Sequence, residues 1–67
     1  MIELRVNGEP RHFEFAPLVS DILDALSLTG KRIAVERNGA IVPKSQHAHT
    51  RCATGDAIEI VVAVGGG

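Results

Sequence analysis

The sequence predicts an α+β domain, in which a mixed five-stranded sheet carries one main helix packed on one face. Apolar residues alternate with polar ones near the start of the chain, which is the period of a β-strand, and a long run rich in β-branched residues lies near its end. A segment between these ends has its apolar residues at helical spacing, and two Asn-Gly pairs mark the tight turns of hairpins. The resulting order, ββ-α-ββ-β, favours one sheet with the helix across it.

The first hairpin is indicated by alternation on both sides of a turn. Apolar residues alternate with polar ones up to Asn7-Gly8, and Phe13 and Phe15 alternate with polar residues after it. Glu9-Pro10 leaves open a loop longer than two residues. Because proline has no N–H to donate, Pro10 must lie at the turn or on a sheet edge. The return strand is therefore expected to be an edge strand.

The helix is indicated by four apolar residues that fall on one stripe at spacings of three and four. They are Val19, Ile22, Leu23 and Leu26. Pro17 precedes this pattern and Gly30 follows it, which are ordinary start and stop signals. We predict a helix over about residues 18–27.

A second hairpin and a final strand follow. Residues 33–35 and 40–42 flank the second Asn-Gly turn, and Pro43 ends the return strand. Residues 44–54 are polar and aperiodic, which predicts a loop with at most one helical turn, and Gly55-Asp56 predicts a turn.

The last run, residues 57–64, is apolar on both faces except at Glu59, as expected of a central strand with a neighbour on each side. Its inward residues and those of the first strand would join the helix stripe in the core: Ile2, Leu4, Val6, Ile58, Ile60 and Val62. The opposite face would carry Glu3, Arg5, Glu59, Val61 and Ala63.

Composition excludes several classes of function. Seven Lys and Arg against eight Asp and Glu give a net charge of −1, with both signs scattered, so we expect neither a nucleic-acid nor a membrane partner. The single cysteine, Cys52, cannot close an intramolecular disulfide, and the first residues do not resemble a signal peptide. Cytoplasmic localisation is the expectation. The 67 residues predict one domain, over residues 1–64, followed by a flexible glycine tail over 65–67.

No catalytic or metal site is indicated. His47, His49 and Cys52 lie close in sequence, but their spacing matches no usual zinc pattern, so solvated histidines and a half-buried structural thiol are expected. Glu36-Arg37 and the helical aspartates are interpreted as ordinary solvated charge. We therefore expect no catalytic residue and no bound metal or cofactor.

The three final residues, Gly65, Gly66 and Gly67, are the most informative feature. A run of glycines has no side chains and freely adopts extended or turned backbone, so it can thread into a narrow cleft. It would present a bare carboxylate to a partner's active site. The alternative is an end with no function.

Three segments taken together have a recognisable order: Asn38-Gly39-Ala40-Ile41-Val42-Pro43-Lys44, then Gly55-Asp56-Ala57-Ile58-Glu59-Ile60, and the ending Val64-Gly65-Gly66-Gly67. In these segments the chain resembles the ThiS family of sulfur-carrier proteins of thiamine biosynthesis. The resemblance covers essentially the whole chain. The sequence departs from some members at Gln46-His47, where they carry an aromatic residue.

The resemblance implies a ubiquitin-like β-grasp fold, with the first and last strands paired in parallel at the centre of the sheet. It also implies a carrier that partner enzymes act on, rather than an enzyme. A ThiF-type, E1-like adenylyltransferase would use ATP with magnesium to convert the Gly67 carboxylate to an acyl-adenylate. Sulfur from a cysteine-desulfurase-derived donor would then form a thiocarboxylate, which a ThiG-type thiazole synthase would receive.

Position by position, Gly66 and Gly67 match the terminal diglycine of that family, and Gly65 takes the preceding small-residue position. Beside this tail, Val61, Ala63 and Val64 form an apolar spot that we interpret as part of a partner-docking surface. Three other functions stay open: a MoaD-like subunit of molybdopterin synthase, a ubiquitin-like protein modifier, and a non-covalent interaction module with an inert tail.

Overall fold

The computed structural model describes residues 1–63, and the last four positions lie outside its described part. The elements are β1 (Ile2–Val6), β2 (Glu9–Phe13), α1 (Val19–Ala25), β3 (Ile33–Arg37), β4 (Ala40–Val42), a 3-10 turn (Lys44–Gln46) and β5 (Ala57–Val62). The strands form one sheet in the order β2-β1-β5-β3-β4. Strands β1 and β5 are parallel, and the other neighbours are antiparallel. The predicted mixed sheet with a central last strand is confirmed.

Both hairpins turn through two residues. Asn7 and Gly8 have φ values of 51° and 83°, in the left-handed region that matches the twist of a hairpin. Because Val6 pairs directly with Glu9, the longer loop that the sequence left open does not form. Pro10 lies within β2, which is an edge strand as predicted.

Strand β2 is shorter than predicted. It ends at Phe13, and Phe15 lies outside it with 80% of its surface exposed, so the expectation that Phe15 continues the strand is wrong. Since β1 begins at Ile2, opposite Phe13, it offers Phe15 no strand partner. The chain instead leaves the sheet, and Leu18 forms an isolated bridge with Arg51 before the helix begins.

Helix α1 covers one face of the sheet but spans only residues 19–25 of the predicted 18–27. Its first backbone donors, which have no partner within a helix, are satisfied by the polar loop: Val19 N–H donates to the Thr50 carbonyl at 2.9 Å, and Ser20 N–H to the His47 carbonyl at 2.9 Å. The Asp21 carboxylate accepts from Leu18 N–H at 2.9 Å. The loop over residues 47–50 therefore caps the N-terminus of α1 with its backbone carbonyls, a role that a polar side chain often has.

The core lies between α1 and the sheet. Its buried apolar members are Leu4, Val6, Val19, Ile22, Leu23, Val35, Val42, Cys52, Ile58 and Ile60. Val62, expected in the core, is 40% exposed, because it pairs with Ile33 at the last position of the β3–β5 ladder. Leu26 follows the helix and packs against the core while partly exposed.

Within residues 1–63, no helix has the length and apolar character that crossing a bilayer requires.

Candidate functional site

Strand β5 holds the backbone in place up to the predicted tail. Val61 pairs with Ala34 and Val62 with Ile33, and Ala63 N–H donates to the Arg32 carbonyl at 2.9 Å. The chain is therefore tied to β3 as far as Ala63. Val64, predicted as part of the strand and docking surface, lies outside the described residues, as do Gly65, Gly66 and Gly67. Their roles stay predictions.

The side chain of Asn7 ties the first hairpin to β5. Its Oδ1 accepts from Ile60 N–H at 2.7 Å, and its Nδ2 donates to the Ile60 carbonyl at 3.2 Å. The ladder between β1 and β5 joins only Arg5 with Ala57 and Val6 with Ile58. Asn7 extends this attachment by pairing as a further strand residue would, which helps fix the direction of β5.

A carboxylate fixes the other end of β5. Asp56 is only 8% exposed, and its oxygens accept from Arg37 Nε at 2.8 Å, from Asn38 Nδ2 at 3.0 Å and from Ala53 N–H at 2.8 Å. Asn38 Oδ1 in turn accepts from Ala57 N–H at 2.9 Å. We call Arg37, Asn38 and Asp56 the Asp56 cluster. It joins the β3–β4 turn to the start of β5.

The Asp56 cluster corrects the expectation that Arg37 is ordinary solvated charge. Burial alone would raise the pKa of Asp56, but the hydrogen bonds from Ala53, Asn38 and Arg37 and the positive charge of Arg37 together hold that pKa below its usual range. The same hydrogen bond and the charge of Asp56 raise the pKa of Arg37. Sequence reasoning found the turn at Gly55-Asp56 but missed the pairing, because nothing local signals a partner 19 positions away.

The three residues considered as metal ligands do not share a site. His47 is 8% exposed, and its Nε2 lies 3.0 Å from the Val42 carbonyl, so the expectation that His47 is solvated is wrong. His49 is exposed as expected. Cys52 is 1% exposed rather than half-buried, and burial, followed by the charge of Asp56, raises the pKa of its thiol. Within residues 1–63, no three His, Cys, Asp or Glu side chains are placed to hold a metal ion.

The predicted docking surface is exposed where the structure describes it. Val61 is 65% exposed on the sheet face away from α1, and Ala34, its cross-strand neighbour, is exposed beside it. Ala63 is exposed as well. Glu59 and Glu36 pair with each other next along the same face. We call Ala34, Val61 and Ala63 the outer patch: a small apolar surface with acidic neighbours at the end of β5.

The arrangement of the strands defines the class of protein. Parallel first and last strands at the centre of a mixed sheet, crossed by one helix, make a β-grasp domain of the ubiquitin-like type. A crystal structure of the thiamine biosynthesis protein ThiS from Geobacter metallireducens has this fold with a TM-score of 0.81, at 32% sequence identity, covering 98% of this chain and 100% of that chain. The ThiS family model matches residues 4–67. The chain belongs to the ThiS family, the sulfur carriers of thiamine biosynthesis, and the predicted fold and family are confirmed.

Two longer relatives are similar over nearly the whole chain. A thiazole synthase from Paramagnetospirillum magneticum is 42% identical over 98% of this chain, and a thiazole synthase from Magnetococcus marinus is 32% identical over the same share. The chain spans 20% of the length of each of these two proteins.

Proposed function

We propose that this chain carries sulfur as a thiocarboxylate on Gly67 and delivers it for the synthesis of the thiazole ring of thiamine. The observation that carries the proposal is the match of the ThiS family model through Gly67, the last residue. The described structure is consistent with a carrier: β5 is tied to the fold up to Ala63, four residues before Gly67.

The chemistry requires a polypeptide that ends at Gly67, because an acyl-adenylate forms at a free carboxylate. The carboxylate oxygen attacks the α-phosphorus of ATP, pyrophosphate leaves, and the acyl carbon gains a good leaving group. A hydrosulfide equivalent then attacks that carbon, the bond to AMP breaks, and the thiocarboxylate remains. If the donor is a persulfide, a thiol must also reduce the S–S bond of the first adduct.

The proposed partners supply the nucleotide, the sulfur atom and the enzyme that accepts the sulfur. A ThiF-type adenylyltransferase would bind ATP with magnesium, a cysteine-desulfurase-derived donor would supply sulfur, and a ThiG-type thiazole synthase would accept it. The names of the two longer relatives support the last partner, since sequence like this chain occurs within polypeptides called thiazole synthases. We propose the cytoplasm as the setting, where donor and product thiols stay reduced.

Intact-mass measurement tests the proposal. Incubation of the chain with an activating enzyme, ATP, magnesium and a sulfur source should add about 16 Da, the difference between sulfur and oxygen. The shift should disappear when ATP is omitted. A chain that stays unchanged under the complete conditions would refute the sulfur-carrier function, and conjugates to lysines of other proteins that resist reduction would favour a protein modifier instead.

The outer patch is proposed to contact the activating enzyme, because it adjoins the reacting end. Ala63→Glu should slow adenylation by about tenfold or more, since it places a charge against an apolar contact. Ala57→Glu is the matched control, because Ala57 is also exposed and begins β5, whereas Ala63 follows the end of that strand. Pyrophosphate release measures the rate. Equal rates for the wild type and Ala63→Glu would remove the outer patch from the interface.

A further inference from the structure

A groove of about 350 Å³ lies on the helix side of the sheet, between α1, the loop that follows it, the start of β3 and the 3-10 turn. Its apolar lining includes Leu23, Leu28 and Ile33, and its basic residues are Lys31, Arg32 and Lys44. We call these six residues the basic groove. It is a separate surface from the outer patch, which lies on the opposite face of the sheet.

The cations of the basic groove differ from the other cations of the chain because their side chains have no partner among residues 1–63. Of the seven Lys and Arg residues, four have side-chain partners: Arg5, Arg11, Arg37 and Arg51. Within residues 1–63, the side chains of Lys31, Arg32 and Lys44 form neither an ion pair nor a hydrogen bond. Three like charges thus line one groove, and none of their side-chain donors is used by another of the residues 1–63.

One acidic residue, Asp24, also lies on the groove wall, where it accepts a hydrogen bond from the Thr29 hydroxyl, so three cations face one carboxylate. The loop that carries Lys31 is fixed by backbone hydrogen bonds, from Leu28 N–H to the Leu23 carbonyl at 2.8 Å and from Lys31 N–H to the Leu28 carbonyl at 3.1 Å. Lys31 is therefore presented by a folded loop, and Lys44 is presented by the 3-10 turn.

We propose that the basic groove binds an acidic segment of a partner protein. An apolar side chain of that segment contacts Leu28 and Ile33, while carboxylates on either side of it pair with Lys31, Arg32 and Lys44. Charge complementarity selects this occupant. A free phosphate would use the cations but leave the apolar lining unused, and a nucleic acid would meet a chain whose net charge is −1.

The basic groove lies close to the end of β5, so a partner bound in the groove would be near the C-terminal end of that strand. The Arg32 carbonyl accepts from Ala63 N–H at 2.9 Å, so the groove begins beside the last described residue of the chain. A partner held there lies next to Ala63. The inference does not depend on the sulfur-transfer proposal, because binding of a peptide in the groove requires no reaction at Gly67.

An NMR titration of the full ¹⁵N-labelled chain tests the proposal. The probe is a short synthetic peptide with a central leucine flanked by Asp and Glu, and the comparison peptides replace leucine with serine or the acidic residues with lysine. We expect shifts at the amides of Leu28, Lys31 and Ile33, with at least about tenfold weaker binding by either comparison peptide. Added salt should weaken binding of the acidic peptide.

The doubly substituted variant Lys31→Glu/Lys44→Glu should bind the acidic peptide at least about tenfold more weakly. Arg5→Glu/Arg11→Glu is the control, because it reverses two charges elsewhere on the surface, and thermal unfolding checks that both variants are folded. Equal weakening by the control, binding no tighter than about 1 mM, or equal binding of the serine peptide overturns the proposal. So does displacement of the peptide by inorganic phosphate or AMP, which would assign the groove to a small anion.

Discussion

Gly67→Val abolishes the gain of about 16 Da in the sulfur-loading assay while leaving the fold intact; this is the largest effect that we expect from any single substitution. A β-branched side chain next to the reacting carboxylate restricts the backbone and obstructs both steps: the attack of the carboxylate on the α-phosphorus of ATP and the attack of the sulfur donor on the acyl carbon. One residue appended after Gly67 should have the same effect, because it converts the reacting carboxylate into an unreactive amide. Intact-mass spectrometry with the complete loading mixture provides the measurement.

Two controls separate loss of reactivity from loss of structure. Adding the same residue before Met1 changes the length equally but leaves Gly67 unaltered, so that chain should still load sulfur. Thermal unfolding of all three altered chains should match the wild type, since none of the changes replaces a core residue between α1 and the sheet. A Gly67→Val chain that gains the mass at the wild-type rate would show that the reaction does not occur at this carboxylate.

Periodicity was sufficient to predict most of the fold. Alternation indicated β1, a run rich in β-branched residues indicated β5, helical spacing placed Val19, Ile22 and Leu23 on the buried side of α1, and the Asn-Gly pairs predicted where both hairpins turn. Each of these signals is local, because the residues that carry it are neighbours along the chain. The residue at which a strand ends depends on less local information, because it requires a partner on a neighbouring strand. Phe15 continues the alternation of β2, yet β1 provides no partner for it.

The residues that position the ends of β5 could not be predicted in the same way. Asp56 and Arg37 lie on different elements, and only the completed sheet brings them to 2.8 Å. His47 was misjudged for a similar reason: its polar loop packs against the start of α1, where its carbonyl accepts from Ser20 N–H. Polar loop sequence ordinarily indicates exposure, but here the first turn of a helix lacks hydrogen-bond partners and the loop supplies them.

Asp56→Ala should lower the free energy of unfolding by about 2–4 kcal/mol at neutral pH. The substitution leaves the Arg37 guanidinium, the Asn38 amide and Ala53 N–H without the carboxylate that accepts from all of them. Because a domain of this size has only a few kcal/mol of stability, a substantial fraction of the variant should be unfolded. Urea denaturation followed by circular dichroism measures this loss of stability. Asp24→Ala is the control, because Asp24 is an exposed helical aspartate. That substitution should lower the free energy of unfolding by about 1 kcal/mol or less.

The pH dependence of the free energy of unfolding shows whether Asp56 stabilises the fold through its negative charge or through the packing of its side chain. The pKa of Asp56 is lower in the folded chain than in the unfolded one, so the unfolded chain binds more protons at acid pH. The stability contributed by the carboxylate is therefore fully present above about pH 4 and is lost as the pH falls through the folded-state pKa. The difference in the free energy of unfolding between the wild type and Asp56→Ala should stay nearly constant from about pH 7 to 5 and become smaller below about pH 4. If the same difference persisted at about pH 3, the stabilisation would not come from the ionised carboxylate, and the Asp56 cluster would owe its effect to packing alone.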